Sequence, residues 1–287
     1  MKTAEEERPN IVWFYNVQLI APRVVKKLKS LLPDAIFCQY ANDNPFSKNA
    51  KPHLWKNFRE SIPFFDAHFV FRDSDSHGYL AHGVNEVKLL RSYFIPEMDY
   101  PVLLPEIPQQ YICDVVFAGH YENDGRVEML EAICDAGFNL NLFGGGWNLA
   151  LKGLRLDSPL RSKYPITPVI EENYRYAICG AKVALCFLST LNQDTYTTRN
   201  FQIPAMKTAM LSQYTDDLAS LFKPGEEALY FESAKELLAK LRVLVEDEGL
   251  RSRLATAGYM RVHSDGHDVS SRMQIWLRDV LGKGENE

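Results

Sequence analysis

The segment LNQDTYTTRNFQIPAMKTAML, residues 191–211, places a carboxylate, threonines, a guanidinium and amides directly ahead of an apolar run. Thr197, Thr198, Arg199 and Asn200 supply hydroxyl, N–H and guanidinium donors at the first turn of a short helix, a set suited to phosphate oxygens. The same residues would also serve as a capped, solvated helix start. Pro204 is best tolerated in a helix's first turn, which predicts a start near 201–203. Asp194 and Gln202 stand at the two ends of this hydrogen-bonding loop.

Two other loops carry comparable chemistry. In AGHYENDGR, residues 118–126, Gly119 and His120 follow a strand and Arg126 opens the next helix. The two cations suit a diphosphate, and an ordinary loop turning at Asp124-Gly125 explains the spacing equally well. In LFGGGW, three glycines permit close backbone approach to a ligand that Trp147 would cover, or a tight turn beside a core tryptophan. Proton transfer has candidates in the first half of the chain. Asp43 in ANDNPF is a candidate base, with an Asx-turn before Pro45 as its structural alternative. His77 and His82 are further candidates, each with a surface or packing role as the alternative.

These loops need strands to hold them. NIVWFYN, DAIFCQY, AHFVFRD and EVKLLRSYF read as strands, short β-branched or aromatic runs bounded by polar residues. In the second half, CDVVFAGH, FNLNLFG, KVALCFL, AMLSQ and ALYF alternate with GRVEMLEAICDAG, EENYRYAICGA and TDDLASLF. That order implies right-handed βαβ units and a parallel sheet. Helices follow at about 233–247, 250–262 and 267–282, the first with Leu237, Leu238, Leu241, Leu244 and Val245 facing inward. The proline-rich PVLLPEIPQQ, residues 101–110, marks the expected boundary between a domain over 1–106 and one over 107–287.

In APRVVKKLKSLLP, Val24, Val25, Leu28, Leu31 and Leu32 share one helical face, with Arg23, Lys26, Lys27 and Lys29 elsewhere. That pattern describes a helix packed on a sheet, and it also suits peripheral contact with an anionic membrane.

The whole chain has 287 residues, 46% hydrophobic and 24% charged, enough for two cores. Its net charge of -5, without blocks of like charge, gives no electrostatic basis for nucleic-acid binding. The acidic, polar start MKTAEEERPN and the lack of a long apolar run lead us to expect a cytoplasmic protein. Cys38, Cys113, Cys134, Cys179 and Cys186 form an odd set without C-x-x-C spacing, which reads as buried reduced thiols.

The ordered phrases DVVFAGHYENDGR, YRYAICGAKVALCF, LNQDTYTTRNFQIPAM and LFKPGEEALYF, and a final R-x-x-x-A-x-x-G-Y-x-R-V-x-x-x-x-x-H, resemble the C-terminal domain of CgeB-like glycosyltransferases. The likeness spans about 112–282, with YANDNPF and the strand-helix rhythm carrying it weakly into the first half. It implies an α/β GT-B-like fold, two Rossmann-like domains facing a cleft, the N-terminal one shortened to about four strands. It further implies a glycosyltransferase that needs no metal or other cofactor. Such an enzyme takes a nucleotide-sugar donor in the C-terminal domain and a glycan, protein or small-molecule acceptor on the other.

By the same resemblance, His120 and Arg126 clamp the donor diphosphate, Asp194 orients the donor sugar and Gln202 takes the ribose position; Gly119, Thr197, Thr198, Arg199 and Asn200 as donor-binding residues and Asp43 as a base are read from the loops themselves. His120 stands where relatives usually have Arg, and Gln202 where they have the acidic residue that grips the ribose. A carboxylate accepts two ribose hydroxyl bonds and an amide carbonyl one, so Gln202→Glu is expected to strengthen donor binding. Lys207 stands where relatives end this helix with Gly, at a cost of about 1 kcal/mol if the backbone there is left-handed. Other readings are a non-catalytic nucleotide- or glycan-binding or partner protein, and a nucleotide-sugar epimerase. A shortened first sheet would also leave an edge strand able to pair with another copy.

Overall fold

The computed structural model describes residues 2–49 and 51–282. Its strands are β1 (Ile11–Tyr15), β2 (Ile36–Ala41), β3 (Ala67–Val70), β4 (Lys88–Leu89), β5 (Cys113–Ala118), β6 (Leu140–Phe143), β7 (Ala181–Cys186), β8 (Ala209–Gln213) and β9 (Leu229–Phe231). Its helices are α1 (Lys2–Glu7), α2 (Pro22–Leu31), α3 (Lys56–Ser61), α4 (Ser76–Leu80), α5 (Arg126–Asp135), α6 (Trp147–Ala150), α7 (Glu171–Cys179), α8 (Arg199–Ala205), α9 (Asp216–Leu221), α10 (Ala234–Glu246), α11 (Glu248–Ser264) and α12 (Val269–Leu281). None is long and apolar enough to cross a membrane, among the described residues.

The chain divides into two compact units. The first comprises Met1–Ser92, Thr190–Asp194 and Ser270–Glu287; the second comprises Tyr93–Ser189 and Thr195–Val269. The change therefore falls at Ser92, not in the proline-rich connector near 106, and α12 belongs almost wholly to the first unit. A local pattern could not reveal that return, because α12 is placed by distant partners. Trp276 sits edge-on to Trp13 with ring centroids 4.4 Å apart, and Arg272 Nε donates to the Ser92 carbonyl at 3.3 Å.

In the first unit, parallel strands lie in the order β1-β2-β3-β4. The run EVKLLRSYF yields only the two-residue β4, because the chain leaves the sheet there and Phe94 forms a bridge with Asp268 in the second unit. Phe14, Phe37, Phe58, Ile62 and Tyr79 form the core. From α2, Val25 is fully buried, whereas Val24 is 37% exposed and Lys29 turns toward Asp66 to form an ion pair. The inward face is thus narrower than its five apolar residues suggest.

In the second unit the order is β6-β5-β7-β8-β9, all parallel. Val115, Phe117, Val183 and Leu185 join Leu130, Leu237, Leu241 and Leu244 in one core, while the alternate residues Val116, Ala184 and Cys186 are equally buried. Strands covered on both faces give continuous apolar runs, which is why they were legible. The strand order reverses direction at β5, with β6 on one side and β7 on the other. Parallel sheets bind ligands at the carboxyl end of such a switch point.

Candidate functional site

At the end of β5 the chain needs glycine. A Cβ on Gly144, which follows β6 at φ 149°, would lie 1.8 Å from the Gly119 carbonyl oxygen, so the two strand-end loops touch through backbone. Trp147 Nε1 donates to that same oxygen at 3.0 Å and its ring is buried, making it a core residue and not a cover for a ligand. The exposed His120 follows Gly119, its ring against Gly145.

Arg126 opens α5 as expected, but its guanidinium is committed to the loop before it. Nε and Nη2 donate to the two Asp124 oxygens at 2.8 and 2.6 Å, Nη1 donates to the His120 carbonyl, and Glu122 lies 3.6 Å away. The side chain is buried, and two carboxylates offset its charge. Its structural effect is to brace residues 119–125.

Arg199 differs. It is the first residue of α8, and its guanidinium reaches Gly119, with Cζ 3.4 Å from where a Cβ there would stand and 5.8 Å from the Phe117 ring centroid. Nε is buried with no hydrogen-bond partner, the Cys186 thiol lies against the guanidinium, and no carboxylate pairs with the side chain among the described residues. An uncompensated guanidinium beside a strand end is poised for an anion.

Helix α8 begins at Arg199, two or more residues before the start expected from Pro204. Proline at the sixth of seven positions removes only one backbone hydrogen bond before the helix ends, so the usual penalty is mostly avoided. Thr197 and Asn200 build that start. Thr197 Oγ1 accepts from the Arg199 N–H at 3.2 Å, and Asn200 Oδ1 accepts from the Thr197 N–H at 2.8 Å. Asn200 Nδ2 then donates to Ser212 Oγ at 3.1 Å. These two residues are engaged in capping. Lys207 follows the helix at φ 57°, and the Thr208 N–H closes back on the Ile203 carbonyl at 3.3 Å, so Lys207 occupies the left-handed position that suits glycine.

Thr198, Arg199 and Gln202 line a cavity of about 380 Å³ together with Ala118, Ile170, Glu171, Tyr174 and Asp99. Both ends of the Gln202 amide are occupied. Tyr174 OH donates to Oε1 at 3.1 Å, and Nε2 donates to Asp99 at 3.3 and 3.4 Å. Asp99 is buried, which raises its carboxyl pKa, and hydrogen bonds from the Ile95 N–H and Gln202 oppose that rise. Burial likewise raises the Tyr174 phenol, so it remains a donor. Arg175 fixes the segment carrying Asp99 by donating to the Met98 carbonyl at 3.1 Å and stacking 4.1 Å over Tyr100. Sequence reasoning missed Asp99 and Tyr174.

A second cluster belongs to the first unit. Arg72, 2% exposed, follows β3 and donates to Asp75 Oδ2 at 3.0 Å and to Asp194. Burial pushes the Asp75 carboxyl up to about 6; Arg72 opposes the rise, and the carboxylates of Asp194 and Asp43 add to it. Asp43 accepts from Asn192 Nδ2 at 3.0 Å, and the Asx-turn expected there belongs instead to Asn44, whose Oδ1 accepts from the Phe46 N–H at 2.9 Å. Ser47 Oγ and Asn49 Nδ2 donate to the carbonyls of Leu191 and Thr190 at 2.7 and 3.0 Å, fixing the strip that carries Asp194. His77 and His82 are exposed outside this cluster, their Nδ1 atoms 3.4 and 2.7 Å from the carbonyls of Ser74 and Gly78.

A family model described as glycosyl transferase-like matches residues 126–278. No curated protein matches the chain in sequence. Among solved structures, sucrose-phosphate synthase from Thermosynechococcus elongatus superposes with a TM-score of 0.70 at 13% identity, covering 99% of this chain and 76% of that one. HepE from Anabaena, in complex with UDP-glucose, gives 0.72 at 10% identity, with coverages of 98% and 80%. A glycosyltransferase from Rickettsia africae gives 0.67 at 11% identity, with coverages of 99% and 80%. The fold is GT-B.

Proposed function

Because the chain belongs to the glycosyl transferase-like family, we propose that it transfers sugar from a nucleotide-sugar donor, holding the nucleoside diphosphate in the cavity beside Arg199. The observation that carries this assignment is the Arg199 guanidinium, which has no carboxylate partner among the described residues and stands at the end of β5. As the glycosidic bond breaks, negative charge grows on the leaving diphosphate, and Arg199 with nearby N–H groups would stabilise it without a metal. Thr198 adds a hydroxyl donor. Asp99 keeps acceptor capacity for a ribose hydroxyl, so the carboxylate absent at position 202 is supplied by the residue hydrogen-bonded to it.

Gly119 leaves room for the diphosphate, with His120 beside it. Arg126, Thr197 and Asn200 act by holding the two loops in shape. For the acceptor hydroxyl we assign Asp43 as base, because Asp75 and Asp194 share Arg72 and Asp43 does not. Asp194 keeps its proposed role at the donor sugar.

The ordered phrases over 112–282 favour a CgeB-like placement within the family. Five free cysteines favour the cytoplasm. Because β1 is the longer of the two edge strands of its sheet, a second copy would add there.

Binding without transfer is the second reading, favoured by the neutralisation of Arg126 by Asp124 and Glu122. The test is a thermal-shift panel of UDP, GDP, dTDP, ADP and CDP with their sugars, followed by assay of nucleoside diphosphate release. The complex of HepE with UDP-glucose makes uridine the first base to try. Stabilisation by one nucleotide with release from its sugar supports transfer. Stabilisation without release under any acceptor supports binding alone, and no stabilisation by any nucleotide rejects the cavity assignment.

A further inference from the structure

In a chain with a net charge of -5, two segments of the first unit reverse the sign locally. Residues 15–32 hold Arg23, Lys26, Lys27 and Lys29 with no Asp or Glu, and residues 45–59 hold Lys48, Lys51, Lys56 and Arg59 with none. They are neighbours in space. Asn57 Nδ2 donates to the Gln18 carbonyl at 3.3 Å, and α2 packs against α3. Lys29 is paired with Asp66, and Lys56 lies 3.9 Å from Glu60. No carboxylate pairs with Arg23, Lys26, Lys27, Lys48 or Lys51 among the described residues. All five are exposed.

The same two segments expose apolar side chains. Leu19 is 95% exposed, Ile20 37% and Leu54 49%. Leu19 and Ile20 occupy the loop from β1 to α2, where nothing in the fold requires them, since Val17 and Val25 already supply the buried contacts. An apolar tip within a cationic surround matches the two-part chemistry of an anionic bilayer surface, headgroup charge above and acyl chains below. A soluble polyanion would use the cations and leave Leu19 and Ile20 without a role.

We infer that the β1–α2 loop and the adjoining start of α3 dock on anionic lipid, with Leu19, Ile20 and Leu54 entering the interface and the lysines facing the headgroups. Attraction acts within a Debye length of about 8–10 Å, so the patch is felt locally, against the opposing Glu5, Glu6 and Glu7 of α1, which packs on α2. This inference does not depend on the nucleotide assignment.

The experiment is cosedimentation of the full chain with vesicles of phosphatidylcholine alone and of phosphatidylcholine with phosphatidylglycerol, at low and high salt. Binding is expected only to the anionic vesicles and is expected to fall with salt. Lys26→Gln with Lys27→Gln should lower the vesicle-bound partition about 25-fold, at about fivefold per cation. Leu19→Ser with Ile20→Ser should lower it without changing binding to heparin. Unchanged melting curves would establish that both surface variants are folded. Failure of the folded wild type to bind anionic vesicles overturns the inference. So does full retention of vesicle binding in the Leu19→Ser, Ile20→Ser variant, which would reassign the patch to a soluble polyanion.

Discussion

Asp99 and Gln202 meet as carboxylate and amide, with Nε2 of Gln202 3.3 and 3.4 Å from the two Asp99 oxygens. Gln202→Glu would set two buried carboxylates against each other, so one must take a proton or separate. The substitution expected from the family pattern to strengthen donor binding should instead weaken it and destabilise the fold by about 2 kcal/mol. Asp99→Asn with Gln202→Glu restores the amide-carboxylate pair in reverse and should recover most of both losses. Thermal melts with and without UDP distinguish these outcomes; a single variant that binds more tightly than wild type would refute the proposed repulsion.

Arg199→Met removes the cation assigned to the diphosphate and breaks no ion pair among the described residues. A hydrogen bond to a charged group contributes about 1.5–3 kcal/mol, so kcat/KM for the donor should fall by roughly 10- to 150-fold. The melting temperature of the unliganded protein should change little. Unchanged donor kinetics would exclude Arg199 from the site.

Arg72→Met should be much more damaging to the fold, by about 3–5 kcal/mol, because it removes the buried cation that pairs with both Asp75 and Asp194. The pH dependence follows from Asp75. Its folded pKa, about 6, lies above the ordinary value of 3.8. The folded state therefore binds the extra proton, and this contribution to stability is fully present below about 3.8 and is lost as pH rises through 6. Urea denaturation from pH 4 to pH 7 should show that loss, and Asp75→Asn should flatten it.

Lys207→Gly should stabilise by about 1 kcal/mol, since φ 57° places a Cβ where glycine has none. For a unit of this size that is a rise of roughly 2–4 °C in melting temperature. A fall would mean that the lysine side chain contributes a contact worth more than the strain.

Strand runs and the donor cluster ahead of α8 were legible because burial on both faces and clustered polar residues leave local marks, whereas Pro204 misplaced the helix start by two or more residues. Arg199, Thr198 and Gln202 stand within four residues and reach one cavity. Asp99 lies in PEMDYP, a stretch without periodicity, and acquires meaning only when Arg175 fixes it beside α8. Arg72 looked like an ordinary end of a strand because its partners are Asp75, three residues on, and Asp194, more than a hundred residues on. The commitment of Arg126 to Asp124 was hidden for the opposite reason, since a nearby carboxylate in a loop is equally often solvated.

The strip Thr190–Asp194 belongs to the first unit although the residues on both sides of it belong to the second. Ser47, Asn49 and Arg72 hold it there. A gene fragment encoding 93–269 would thus carry five residues stripped of their anchors and would lack them in the half that uses them. Recombination at a single join therefore cannot exchange either unit intact.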